Sequence, residues 1–150
     1  MRAPIPPVIQ FAVCAGIGWW LAFLAEGLNY FWFAGLLFGT ALTVGGLSII
    51  LISVAAFFRE RTTINPLDPT QAQALVTTGL YRFTRNPMYL GLAVMLCGGA
   101  FLLSNFAAFV APSIFVVAMT ILQIKPEETA LREKFGTAYD AYCERTRRWI

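Results

Sequence analysis

Charged positions along this chain are separated by long apolar blocks. Between Arg2 and Glu26 there are 23 uncharged residues, between Glu26 and Arg59 there are 32, and between Arg85 and Lys125 there are 39. A helix needs about 20 mostly apolar residues to cross a bilayer. The first two blocks therefore predict one spanning helix each, near 8–25 and 31–58. The third is long enough for two, with Ser104-Asn105 at its midpoint. It predicts a hairpin whose turn lies nearly flush with the membrane surface, with arms near 88–103 and 106–124 and Pro112 in the second. The segment 31–58 would measure about 42 Å against a hydrocarbon core of roughly 30 Å, so it is expected to tilt or to project beyond the bilayer. The predicted fold class is an all-α integral membrane protein with four transmembrane helices and a helical cytosolic C-terminal tail.

Polar patterning takes over in two places. In the segment 59–87, Pro66 and Pro69 break any helix continuing from the second span. Asn86 is then a natural N-cap and Pro87 a natural first residue for the third. In the tail, Leu131, Phe135, Ala138-Tyr139 and Tyr142 fall on one face of a helix. Gly136 is expected to interrupt it, and Thr137 with Asp140 resembles a capping box for the next helix. Glu127 and Glu128 follow Pro126 and favour the helix dipole, and Glu128 can pair with Arg132. The tail is expected to lie on the membrane surface, with Trp149 at the interface and Arg145, Arg147 and Arg148 near headgroups.

Composition narrows the possible chemistry. The chain is 58% apolar and 13% charged, where soluble domains carry about 45–50% and 25%, which argues against both a soluble enzyme and a disordered chain. Histidine is absent, which removes Ser–His–Asp hydrolysis, His-ligated zinc and haem, and imidazole acid–base chemistry. With four spans, all 11 Lys and Arg residues and seven of the eight acids lie on one side, with Glu26 alone opposite. The positive-inside rule places that side, and both termini, in the cytosol, hence in the cytoplasmic membrane if the source is bacterial. No clean cleavage site follows the first apolar segment, so a span is expected there rather than a signal peptide. The net charge of +3 is read as topology and contact with membrane lipids, with no nucleic-acid partner. Cys14, Cys97 and Cys143 have no paired spacing and are expected to be packing residues, with no disulfide and no metal. No ionisable residue interrupts the spans, which argues against a pump or channel. Gly35/Gly39 and Gly45-Gly46 suit close helix packing, within the fold or in a homodimer.

Residues 79–91, Gly-Leu-Tyr-Arg-Phe-Thr-Arg-Asn-Pro-Met-Tyr-Leu-Gly, precede the uncharged hairpin. After it come Glu127-Glu128, Leu131, Phe135-Gly136, Tyr139, Tyr142, Arg145 and Arg148-Trp149. Taken in this order, the two segments resemble the isoprenylcysteine carboxyl methyltransferases and their relatives, the phospholipid N-methyltransferases, over about residues 75–150. The resemblance implies an integral-membrane enzyme that transfers a methyl group from S-adenosylmethionine to a lipophilic or lipid-anchored acceptor through a carboxylate, thiol or amine. The chain is expected to form one membrane domain over 1–150, with 1–58 as scaffold and 59–150 as the cofactor-binding region. By the same resemblance Tyr81, Arg82, Pro87, Met88, Tyr89, Leu90, Gly91, Glu127 and Glu128 are candidate cofactor residues. Arg85, Asn86 and Arg145 are candidate catalytic residues, and Tyr139 and Tyr142 candidates to meet the acceptor. Carboxylates can accept bonds from the cofactor's ammonium or ribose, an arginine among Arg82, Arg85 and Arg145 can grip its carboxylate, and tyrosine rings can favour a sulfonium. Many members carry His where this chain has Asn86, which keeps hydrogen bonding but cannot act as a base. Two rival readings are a membrane sterol- or steroid-reductase-like NADPH enzyme and a small membrane protein without enzymatic activity.

Overall fold

The computed structural model describes residues 5–59 and 75–150, so Arg2, Arg61, Pro66 and Pro69 lie outside the described residues. The elements are α1 (Pro7–Leu24), α2 (Phe33–Arg59), α3 (Pro87–Leu102), α4 (Val110–Met119), α5 (Lys125–Phe135) and α6 (Thr137–Arg145). Tight 3-10 turns at Glu26–Leu28, Gly79–Arg82 and Phe106–Phe109 connect them, and no strand occurs among the described residues. The two N-terminal helices fall within two residues of the predicted bounds.

Among the described residues, three helical stretches are long and apolar enough to cross a membrane: Pro7–Leu24, Phe33–Arg59 and Phe106–Phe135. The apolar part of the last ends at Ile124; six of the 11 residues of α5 are charged, so α5 is its polar extension. The fourth predicted span falls short. α3 is apolar but has 16 residues, about 24 Å of helix. The outer faces are apolar as well: Phe31, Val8, Leu37 and Phe38 are among the many large hydrophobic side chains left exposed on and around α1 and α2. In a soluble protein such a surface would aggregate, whereas here it matches hydrocarbon.

α2 and α3 run antiparallel and meet through two glycine pairs. A Cβ placed on Gly46 would sit 2.5 Å from the Gly91 carbonyl oxygen, and one on Gly39 would sit 2.9 Å from that of Gly98. The working stripe on α2 is thus Gly39 and Gly46, seven residues apart, facing Gly91 and Gly98 with the same spacing. Gly35 abuts the Trp32 ring instead, and Gly45 faces open space. Gly46→Ala should therefore force the helices apart and cost about 2 kcal/mol, read as a lower unfolding midpoint in detergent. Gly45→Ala should not lower it, since alanine is the better helix former and nothing obstructs it.

The hairpin turn forms at Ser104-Asn105, and Ser104 adopts a left-handed backbone with φ 49°. The Asn105 side chain is fully buried. Its amide donates to the Ala22 and Ala25 carbonyls and to Asn29 Oδ1, while its Oδ1 accepts from Ala107 N. The turn is therefore clasped to the α1–α2 connection.

Beyond α4 the rod widens into a π-helical turn, Thr120–Ile124. Pro126 follows in the first turn of α5 and cannot donate to the Leu122 carbonyl, so a locally wider turn absorbs the missing bond. Gly136, at φ 52°, ends α5 as expected. The predicted capping box does not form. α6 has no side-chain cap, and Asp140 accepts from Arg132 Nε at 2.7 Å in an exposed pair.

Candidate functional site

The polar ends of the helices converge on one half-open cavity. It encloses about 670 Å³, its open mouth included, within the range typical of small-molecule sites. Tyr81 comes from the turn before α3, and Met88 and Tyr89 from its first turn. Glu127, Glu128 and Leu131 come from α5, Tyr139 and Tyr142 from α6.

The two neighbouring glutamates have opposite surroundings. Glu128 is gripped by two arginines. Arg148 binds it with a two-pronged fork, Nε to Oε1 at 2.9 Å and Nη2 to Oε2 at 2.7 Å, and Arg85 Nη2 reaches Oε1 at 2.9 Å. Burial alone would raise its pKa, but the bonds and charge of Arg148 and then Arg85 outweigh it and hold the carboxyl below the usual range. Arg132, the expected partner, is with Asp140. Glu127 has no cationic partner among the described residues. Its Oε1 accepts from the Tyr89 hydroxyl at 2.7 Å and from the Gln123 amide, while no bond to Oε2 forms among the described residues. Burial raises this carboxyl to about 7, against smaller lowering by the Gln123 and Tyr89 bonds, and the Glu128 charge adds to the rise. Burial likewise pushes the phenols of Tyr81, Tyr139 and Tyr142 up, so they stay neutral at physiological pH.

The C-terminal segment closes the back of the cavity. Arg85 N donates to the Arg147 carbonyl at 2.9 Å, and the Asn86 amide donates to that of Arg148 at 2.9 Å. Arg85 Nη1 serves the Cys143 and Thr146 carbonyls. The Tyr142 hydroxyl donates to the Tyr81 carbonyl at 2.7 Å, and Trp149 Nε1 donates to Thr120 Oγ1 at 3.0 Å. Asn86 therefore occupies the N-cap position of α3 without capping it; its side chain ties down the tail. Arg148 and Trp149 pack into the protein rather than reaching for headgroups.

Of the candidate residues, the cavity gathers Tyr81, Arg85, Asn86, Met88, Tyr89, Glu127, Glu128, Tyr139 and Tyr142. It does not gather the others. Gly91 faces Gly46 and Ile50 of α2, Pro87 is buried at the start of α3, and Leu90 is half-buried outside the lining. Arg82 and Arg145 line a separate groove with Thr146. Phe57, Leu75, Val76 and Leu131 complete the lining, and no motif marked the first three. Gln123, which holds Glu127, lies four residues before it, a helical spacing that could have suggested the contact.

The pattern of the phospholipid methyltransferase family matches residues 34–138. Among curated proteins, an uncharacterized protein of Haemophilus influenzae is 38% identical over 63 residues, 42% of this chain and 100% of its own length. A probable protein-S-isoprenylcysteine O-methyltransferase of Oryza sativa subsp. indica is 27% identical over 124 residues, 83% of this chain and 64% of the relative. Protein-S-isoprenylcysteine O-methyltransferase A of Arabidopsis thaliana is 29% identical over 121 residues, 81% and 61% of the two chains. The chain thus spans less than two thirds of the length of these two methyltransferases. No solved structure matches.

Proposed function

This chain belongs to the phospholipid methyltransferase family, and on that premise we propose that it transfers a methyl group from S-adenosylmethionine to a lipophilic acceptor. The observation that carries the reading is Glu127, a half-buried carboxylate that faces an aromatic and apolar cavity and has no cationic partner among the described residues. That is a hole for a positively charged ligand, and S-adenosylmethionine carries both an ammonium and a sulfonium.

The residues fit this cofactor. Glu127 Oε2 is available to a cationic donor. The buried Tyr81 hydroxyl has no partner among the described residues and can bond to a polar ligand. The rings of Tyr81, Tyr139 and Tyr142 suit a sulfonium. Arg85 is a poor candidate for a two-pronged grip on the cofactor's carboxylate, because both its terminal nitrogens are already bonded and its Nε, without a partner among the described residues, is buried. We assign it, with Glu128, Asn86 and Arg148, to holding the wall in place. When bound, the cofactor supplies an electrophilic methyl group. The protein's task is then alignment and exclusion of water, which an in-line displacement needs more than it needs a proton shuttle. An acceptor carboxylate or thiolate needs no base, and an amine acceptor must arrive unprotonated. Phe57, Leu75 and Met88 give the cavity an apolar side by which a lipophilic acceptor can enter.

In this reading α3 serves as the fourth crossing, lengthened by the turns at its ends, and residues 1–150 act as one membrane domain. Positive-inside topology supports a cytosolic cavity with both termini on that side.

Labelled S-adenosylmethionine should transfer its methyl group to at least one of lipid, prenyl-thiol or quinol-like acceptors in a screen of the detergent-solubilised protein. Absence of cofactor binding together with binding of a nicotinamide dinucleotide would replace this reading with the reductase one. The pH dependence is a second check. A cation needs Glu127 ionised, so cofactor affinity should rise about tenfold per pH unit up to about 7 and then level off. Stability runs the other way. The folded carboxyl holds its proton more tightly than the unfolded one, so its contribution is present below the unfolded value of 4.5 and lost as pH rises through about 7.

A further inference from the structure

A second groove, about 890 Å³ with its open side included, lies outside the cavity between the Gly79–Arg82 turn and the end of α6. Tyr142 lines both, and its bond to the Tyr81 carbonyl fixes it as the partition. The groove is lined by Arg82, Arg145 and the hydroxyl residues Thr77 and Thr146. Arg85, Arg132 and Arg148 are each paired with an acid. Arg82 and Arg145 have no acid partner among the described residues. Arg145 spends its Nε on the Ala141 carbonyl, which leaves its terminal nitrogens for a ligand. The Thr146 hydroxyl donates to the Arg82 carbonyl and so holds the groove's edge, while two guanidinium groups beside Thr77 match a phosphate, which accepts several charge-assisted bonds at once.

The surroundings say where that phosphate comes from. Phe83, adjacent to Arg82, is 74% exposed, and Ile150 at the chain's end is 80% exposed. Phe58, at the end of α2, is likewise exposed. Apolar side chains of this size beside arginines belong where hydrocarbon gives way to headgroups.

We propose that the groove between the Gly79–Arg82 turn and the end of α6 binds the phosphate of an anionic phospholipid headgroup through Arg82 and Arg145. This lipid is not the methyl acceptor, since the Tyr142 partition separates it from the cavity, and the inference does not depend on the methyl-transfer reading.

The test is a calorimetric titration of the detergent-solubilised protein with dihexanoyl phosphatidylglycerol, dihexanoyl phosphatidylcholine and inorganic phosphate. Saturable binding of phosphatidylglycerol, weaker binding of phosphatidylcholine and negligible binding of inorganic phosphate are expected. The double variant Arg82→Gln/Arg145→Gln should bind phosphatidylglycerol ~20-fold more weakly with an unchanged unfolding midpoint, because both side chains are exposed. Arg147→Gln, an exposed arginine outside the groove, should change affinity less than about twofold. An equal loss with Arg147→Gln would mean diffuse surface charge and would overturn the site. Unchanged binding in the double variant would overturn it too, and inorganic phosphate binding as tightly as the lipid would replace the headgroup with a soluble anion.

Discussion

Glu127→Gln is expected to weaken S-adenosylmethionine binding by about 100-fold while leaving the unfolding midpoint unchanged or higher. Glutamine keeps the side-chain oxygen that accepts from Tyr89 and Gln123, so the local hydrogen bonds survive. What disappears is the charge, and a charge-assisted bond in a water-poor cavity is worth about 1.5–3 kcal/mol, roughly tenfold to more than 100-fold in affinity. In the free protein that same charge is a burden, because burial holds the carboxyl up to about 7. Removing it relieves the fold increasingly as pH rises above 4.5, and fully above about 7. A group that costs stability when empty and returns it when a cation binds behaves as a site residue, not a structural one. Calorimetric titration and thermal unfolding on the same preparations check both halves. Unchanged affinity would remove Glu127 from the site, and parallel loss of affinity and stability would make it a packing residue.

The parts of this molecule legible in the sequence are those set by local rules. The bounds of α1 and α2 follow from where charges stop, the hairpin from Ser104-Asn105, and the break between α5 and α6 from Gly136. Partner choice escaped, because it is decided by docking between distant segments. Spacing offered Glu128 a local partner in Arg132, four residues on. The fold instead brings Arg148 from 20 residues away and Arg85 from 43, and once the tail docks along residues 84–86 this pairing is the better shielded. Gly91 shows the same limit from another side. It stands beside cavity residues in the chain, but its helix face is set by the Gly39 and Gly46 stripe of α2, a match visible only when two helices are laid against each other. Asn86 looked like a cap, and the carbonyl it serves is 62 residues away. The π-helical turn before α5 left no periodic mark beyond Pro126.

Glu128→Gln is expected to cost about 3 kcal/mol and to free the C-terminal segment. Removing one partner of a buried ion pair costs about 3–5 kcal/mol because the other charge is stranded. Here two charges are stranded, but Arg148 is 36% exposed on its side chain while Arg85 and Glu128 are 13%, so water screens part of the loss. Glutamine replaces the carboxylate only in part, since its oxygen can still accept from Arg85 Nη2 and Arg148 Nε, but its NH2 group would face Arg148 Nη2 donor to donor and the charge is gone. Arg85 would keep its bonds to the Cys143 and Thr146 carbonyls but would lose the anion beside them. Hydrogen exchange should then rise across residues 143–150, and the unfolding midpoint should fall. Cofactor affinity should fall as well, as a consequence of losing the cavity's back wall, so here affinity and stability move together, in contrast to Glu127→Gln. Arg148→Met should cost less than Glu128→Gln, because Arg85 still neutralises the carboxylate, and the two changes should be strongly non-additive in a double-mutant cycle. Arg132→Gln provides the scale. That pair with Asp140 is more than half exposed on both sides, so solvent screens it and its loss should leave the unfolding midpoint unchanged. A Glu128→Gln protein as stable as the parent would mean that the tail's bonds to Arg85, Asn86 and Thr120 hold it without the ion pairs.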